Sequence, residues 1–220
     1  MTKYQLLSVY FITLIVLHLS SFSAKAARID NQSCGITQGE KLTSGKYGPF
    51  DYTNPIHVKD KLPRVEQFHF TRNVEFLIQG ESGPISADIF YTLTKFPNHH
   101  RALYSMMKYS QQNKLNYNKM FTMECFFKRA IYFKPNDPMV YLLMGIYHHK
   151  KKEYSNAEKK YLYALKLQPK NAEINYNLGL LYFDELKLEK SKKHAILAYQ
   201  NGYPLTGLKN KLSTKNILLK

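Results

Sequence analysis

Four prolines, Pro97, Pro135, Pro169 and Pro204, each close a stretch of helix-forming sequence, and they lie 38, 34 and 35 residues apart. Proline cannot continue a helix, because it lacks an N–H and its ring clashes with the carbonyl four residues back. A stop that recurs at one interval divides the chain into units of one length. A period of about 20–50 residues is the signature of a stacked array. Small residues recur at a second fixed distance. Gly145 and Ala157 are twelve residues apart, and so are Gly179 and Ser191. Small side chains at matched places on successive helices let the two backbones approach. Each unit is therefore expected to be a pair of antiparallel helices, with aromatic residues filling the space between successive pairs.

Counted from Pro138 as position 1, Tyr141 falls at 4, Gly145 at 8, Ala157 at 20, Tyr161 at 24, Ala164 at 27 and Pro169 at 32. This order resembles the tetratricopeptide repeat (TPR), whose signature has an aromatic, a small residue, Ala, an aromatic, Ala and Pro at those places. The next unit, counted from Ala172, puts Gly179 at 8, Tyr182 at 11, Ser191 at 20 and Ala198 at 27. It departs from the pattern at Asn175, at Ala195 and at Pro204, which comes one place late. Upstream the pattern thins. Phe127 and Ala130 keep two places before Pro135, Leu103 and Met106 keep two after Pro97, and Met107 replaces the small residue. The extra length there falls in Gln111 to Lys119.

The chain is thus expected to be all-α: a TPR-like solenoid of three to four helix pairs, with a C-terminal capping helix and an irregular N-terminal extension. Residues 98–137, 138–171 and 172–205 form the units. Residues 68–97 carry two apolar stripes, Phe70, Val74, Leu77, Ile78 and Ile85, Ile89, Leu93, Phe96. Gly80 to Gly83 breaks them, so they read as a degenerate helix pair with Pro84 opening its second helix. Leu205, Leu208 and Leu212 mark a capping helix and tail in 206–220, since a terminal unit must cover the open core. Residues 27–67 hold Gly35, Gly39, Gly45, Gly48, Pro49, Pro55 and Pro63, and read as extended or irregular chain. Tyr47, Phe50 and Tyr52 are expected to anchor it. The runs KYGPFDY, HFT with VEFL, and FPNHHRAL resemble a group of exported bacterial TPR proteins. Some of those carry a transport-permease label, which does not suit a chain with one apolar run at its start.

Residues 1–26 read as a signal peptide. Lys3 precedes the apolar run Leu6 to Leu19, and Ala24-Lys25-Ala26 offers a cleavage site after Ala26. The run is shorter than the ~20 apolar residues of a spanning helix. A periplasmic or secreted protein is expected, the alternative being a chain anchored by an uncleaved N-terminal helix. The chain carries 32 Lys and Arg against 16 Asp and Glu, yet only five arginines. Nucleic-acid readers lean on the arginine fork, so no nucleic acid is expected as a partner. Peripheral contact with an anionic envelope surface stays open. Cys34 and Cys125 are the sole cysteines. In an oxidising compartment an even pair is usually bridged, which would staple the N-terminal segment to the helices. The other reading is that Cys125 packs as a small apolar residue.

Enzyme signatures fail on inspection. Gly39 and Gly45 enclose five residues where a phosphate loop has four, and Tyr47 stands in place of its Mg²⁺-binding hydroxyl. Gly80-Glu81-Ser82-Gly83-Pro84 has proline where a nucleophile elbow needs glycine. The doublets His99-His100 and His148-His149 point about 100° apart on a helix and do not chelate one ion. No catalysis, cofactor or metal is expected. The TPR resemblance implies instead a partner groove on the first helix of each unit. In this chain the groove residues are Arg101, Tyr104 and Lys108, then Leu142, Ile146, His149 and Lys150, then Tyr176, Asn177, Leu180 and Phe183. An apolar, aromatic centre with a basic end suits a protein or peptide, unless the N-terminal segment itself fills the groove. The expected function is a non-catalytic periplasmic scaffold or adaptor. The alternatives are a basic protein lying on anionic lipid or polysaccharide, and an accessory subunit of an envelope complex.

Overall fold

The computed structural model describes Cys34, residues 46–112 and residues 122–219. The expected signal peptide, most of the N-terminal extension before residue 46 and most of the expected insert lie outside those residues. Among the described residues the chain is all-α, with eleven helices. They are α1 (Pro55–Asp60), α2 (Leu62–His69), α3 (Arg72–Glu75), α4 (Ile85–Lys95), α5 (His100–Gln112), α6 (Met123–Phe133), α7 (Pro138–Lys150), α8 (Tyr154–Leu167), α9 (Ala172–Asp184), α10 (Leu188–Gln200) and α11 (Gly207–Ser213).

The periodic prolines act through the residue before them. Phe96, Lys134 and Gln168 leave their helices with φ of −129°, −134° and −138° and ψ of 84°, 83° and 81°. The ring of the following proline excludes the helical conformation there. Two residues past each proline stands a capping side chain. His99 Nδ1 accepts from the N–H of Ala102 at 3.1 Å, Asp137 from Met139 at 3.1 Å and Asn171 from Ile174 at 3.0 Å. Each satisfies a donor that the first helical turn leaves unpaired. The last pair ends differently: Gly202, at φ 84°, closes α10 two residues ahead of the late Pro204.

The tightest packing lies within the pairs α7–α8 and α9–α10. A methyl on Gly145 would sit 2.3 Å from the Tyr161 ring. In the next pair the Ser191 hydroxyl donates to the Gly179 carbonyl at 2.8 Å. Tyr141, Ala157, Tyr161, Ala164, Tyr182 and Ala198 are buried in these pairs, while Pro169 is exposed in its turn. At position 4 the Tyr141 hydroxyl donates to the Pro135 carbonyl at 3.0 Å, and the Asn175 amide reaches the Pro169 carbonyl at 3.4 Å. Asn175, which breaks the aromatic pattern, keeps the bond to the proline turn. In α5, fully buried Met107 fills the place of the small residue, and α5 and α6 touch far less than the later pairs do.

Two expectations need correction. Residues 55–69 are helical where irregular chain was expected, because Pro55 and Pro63 stand in the first turns of α1 and α2. There the missing N–H has no partner to lose. Conversely, residues 68–97 do not form a regular helix pair. The stripe from Phe70 to Ile78 yields only the four-residue α3, and Leu77 adopts a left-handed φ of 61°. Pro84 caps α4 and does not open it.

Helices α3, α5, α7, α9 and α11 touch in succession and form one layer. The second helices α6, α8 and α10 make no comparable contact with one another among the described residues. A double layer that touches on one side and spreads on the other curves toward the touching side. The first-helix layer is therefore the inner one. Leu208 and Leu212 of α11, fully buried, close its C-terminal end over Tyr176, Ala195 and Ala198. Leu205, expected in the same stripe, is exposed. No helix among the described residues is long and apolar enough to cross a membrane.

Candidate functional site

The inner layer holds the residues expected to line a groove, and it treats them unequally. Leu142 is fully buried in the core between α7, α8 and α9, so it offers no surface. Tyr176 is also buried; its ring stacks on Tyr203 at 4.1 Å. These two groove assignments are corrected to core and end-cap positions. Their register faces inward, but α11 and the neighbouring first helix cover them. Asn177 turns back on its own helix, donating to the Glu173 carbonyl at 2.9 Å.

Arg101 is held by the chain itself. Its Nε donates to Glu75 at 2.8 Å, a second nitrogen donates to the other Glu75 oxygen, and Nη1 reaches Glu66 at 3.1 Å. The bonds to Glu75 raise its pKa against the cost of burial. The N-terminal helices α2 and α3 thus occupy the groove position at this end.

Ile146, His149, Leu180 and Phe183 are half-buried and Lys150 is exposed. Ile146 packs against both central core clusters, and Leu180 and Phe183 against the C-terminal one. His149 Nε2 lies 3.0 Å from Asp184 and Lys211 lies 3.3 Å from the other Asp184 oxygen, so α7, α9 and α11 are linked along the inner face. The Lys211 ammonium sits 5.0 Å from the Phe183 ring centre. Tyr104 and Lys108 project from α5, the ammonium 5.1 Å from the ring centre. Glu173 is half-buried on the same layer, and burial raises its pKa against the pull of His100.

A second polar cluster lies at the N-terminal turns. Asn98, fully buried, receives the Tyr52 N–H at 3.0 Å and donates to Asp51 and Asp137 at 2.9 Å each. His100 Nε2 donates to Asp137 at 2.8 Å. Lys134 reaches Asp51 at 2.7 Å. Burial opposes the Asp51 charge, but the bonds from Lys134, Thr53 and Asn98 outweigh it and hold its pKa down to about 2. Tyr52 stacks on His99 at 4.1 Å, and Phe50 packs on Phe96. Because His99 Nδ1 accepts a backbone N–H, its Nε2 carries the proton that meets Glu66 at 3.0 Å. Burial pushes the His99 pKa down against Glu66. The segments KYGPFDY and FPNHHRAL, far apart in the chain, therefore meet here. Every group in the cluster is satisfied by another, which describes a structural lock.

Cys34 and Cys125 are joined, their Cα atoms 5.0 Å apart, and tie the N-terminal segment to α6. The histidine doublets divide between partners: His99 on Glu66, His100 on Asp137, His148 on Glu153 and His149 on Asp184. No cluster of three metal-ligating side chains occurs among the described residues.

Residues 148–185 match the model of the TPR repeat family. The match runs from the end of α7 through α8 and α9. No curated protein matches the chain. The chain carries a TPR repeat within an all-α, TPR-like solenoid, an architecture that serves as a protein-interaction scaffold. Sequence reasoning missed Arg72 and Phe76, which join Tyr104 and Lys108 on the inner layer. They lie outside any repeat register, so no signature position singled them out.

Proposed function

We propose that this protein is a non-catalytic scaffold or adaptor that holds a protein or peptide partner on its inner layer. The reading is supported by Ile146, Leu180 and Phe183, apolar side chains left half-buried along one curved face with charged groups at its margins. A surface of that kind recognises by shape and apolar anchoring, with no bond chemistry. Residues 1–26 are proposed to export the chain to the periplasm or beyond.

The rival reading, a basic protein lying on anionic lipid or polysaccharide, draws on the lysines of α8 and α10. Of those lysines Lys190 meets Glu158 at 4.0 Å, and beside them Lys151, just past α7, meets Glu153 at 2.9 Å and Lys187, just ahead of α10, meets Glu185 at 2.9 Å. Service as an accessory subunit of an envelope complex is a special case of the scaffold reading.

The test is a cross-linked capture from the protein's own cell envelope at low and high salt, run beside Phe183→Ala. One dominant protein that survives salt and fades in F183A supports the scaffold. Recovery of lipid or glycan alone, lost at high salt, overturns it. Mass spectrometry of the recovered chain tests cleavage after Ala26.

A further inference from the structure

Five side chains at the N-terminal half of the inner layer alternate between cation and ring. The Arg72 guanidinium lies 5.6 Å from the Phe76 ring centre. Lys108 lies 5.8 Å from Phe76 and 5.1 Å from Tyr104. Lys150 lies 5.8 Å from Tyr104. The strip crosses α3, α5 and α7. Phe76 is 55% exposed and Tyr104 38% exposed, although rings of this size usually find cover. Among the described residues none of the three cations reaches a carboxylate within ion-pair distance, and the nearby Glu75 is committed to Arg101.

We propose that this strip is the docking surface for an extended acidic segment of a partner protein. The inference rests on the scaffold reading and names the partner's chemistry. Three unpaired cations in a row call for an anion. The cations 5.1–5.8 Å from the ring centres already engage those rings electrostatically, which competes with stacking on a sugar or a base. The strip lies on the inner side of a curved layer, which admits a chain and excludes a flat bilayer. Cations flanking one ring are at most about 11 Å apart, the two ring distances laid end to end. An extended chain advances about 3.3 Å per residue, so carboxylates at every second or third residue meet them in turn.

The test is fluorescence anisotropy of the purified full chain with a labelled peptide alternating Glu and Val, beside the same peptide with Gln for Glu. The acidic peptide is expected to bind and the Gln peptide not. Lys108→Gln and Lys150→Gln should each weaken binding roughly threefold to fivefold. Lys166→Gln, at an exposed lysine of α8, should leave it unchanged. Equal binding of the Gln peptide, an equal loss in K166Q, or a preference for anionic phospholipid vesicles overturns the proposal. The two readings fail separately. If the envelope partner is lost in F183A but captured normally by K108Q and K150Q, the strip assignment falls and the scaffold stands. If the acidic peptide binds as described while no protein is captured, the strip stands as an anion site and the scaffold falls.

Discussion

Gly145 and Gly179 occupy the same repeat position, yet their surroundings set different costs. A methyl on Gly145 meets the Tyr161 ring at 2.3 Å, a side chain wedged in the core. At Gly179 the nearest obstacle is one methyl of Leu208, at 2.6 Å, and the next atoms stand at 3.4 Å or beyond. Gly145→Ala is expected to destabilise by about 1–3 kcal/mol and Gly179→Ala by less, read as shifts in urea midpoint. Lys152 and Leu186 hold left-handed φ of 60° and 59° at the turn inside each regular pair. Leu186 is 71% exposed, so it has strain to lose and little packing. Leu186→Gly should gain about 0.5–1 kcal/mol, and an unchanged or lower midpoint would show that the turn carries no such strain.

The pair α7–α8 is built around Tyr161, which is fully buried and whose hydroxyl finds no hydrogen-bond partner among the described residues. Burial pushes its pKa far up. Removing an unsatisfied buried hydroxyl while keeping the ring should be neutral or stabilising by about 1 kcal/mol, so Tyr161→Phe is expected to raise the thermal midpoint slightly. A marked fall would reveal a partner for that oxygen. The preceding pair carries buried Met107 in the place of the small residue, and α5 and α6 touch less than the later pairs do.

Across the whole molecule, acid acts in two separate windows. His194 is half-buried beside Lys193 and Lys190, and burial first, then those lysines, push its pKa down to about 4 from 6.5. Between those values the unfolded chain takes up a proton that the folded chain refuses. Stability is therefore present above about pH 6.5 and lost as pH falls toward 4. With the ring partly exposed, the loss is on the order of 1–2 kcal/mol. Urea unfolding at pH 7 and pH 4.5 should show it in the parent and reduce it in His194→Gln, the remainder belonging to His99, whose pKa burial also pushes down. Asp51, at about 2, adds a second loss only below its ordinary 3.8, when protonation loosens the lock to Lys134. The Cys34–Cys125 bond, spanning 91 residues, closes a loop whose constraint contributes about 4–5 kcal/mol in the chain-entropy treatment. The Cys34→Ser, Cys125→Ser double variant should lose a comparable amount. A variant unfolding at the parent's midpoint would make the bond ornamental.

The sequence by itself determined the repeat. Proline stops, capping residues two places later and small residues twelve apart are local chemistry, and each acts on its own few neighbours. For that reason the boundaries and repeat positions of α7 to α10 were legible. The N-terminal half was less so, because Pro55 and Pro63 read equally as breakers and as first-turn residues until neighbours decide. Only tertiary packing decided that Leu142 and Tyr176 are covered, that Glu75 and Glu66 occupy Arg101, and that Arg72 and Phe76 join Tyr104. Exposure at a groove position depends on what the adjacent helices bring to it, and that information lies tens of residues away along the chain.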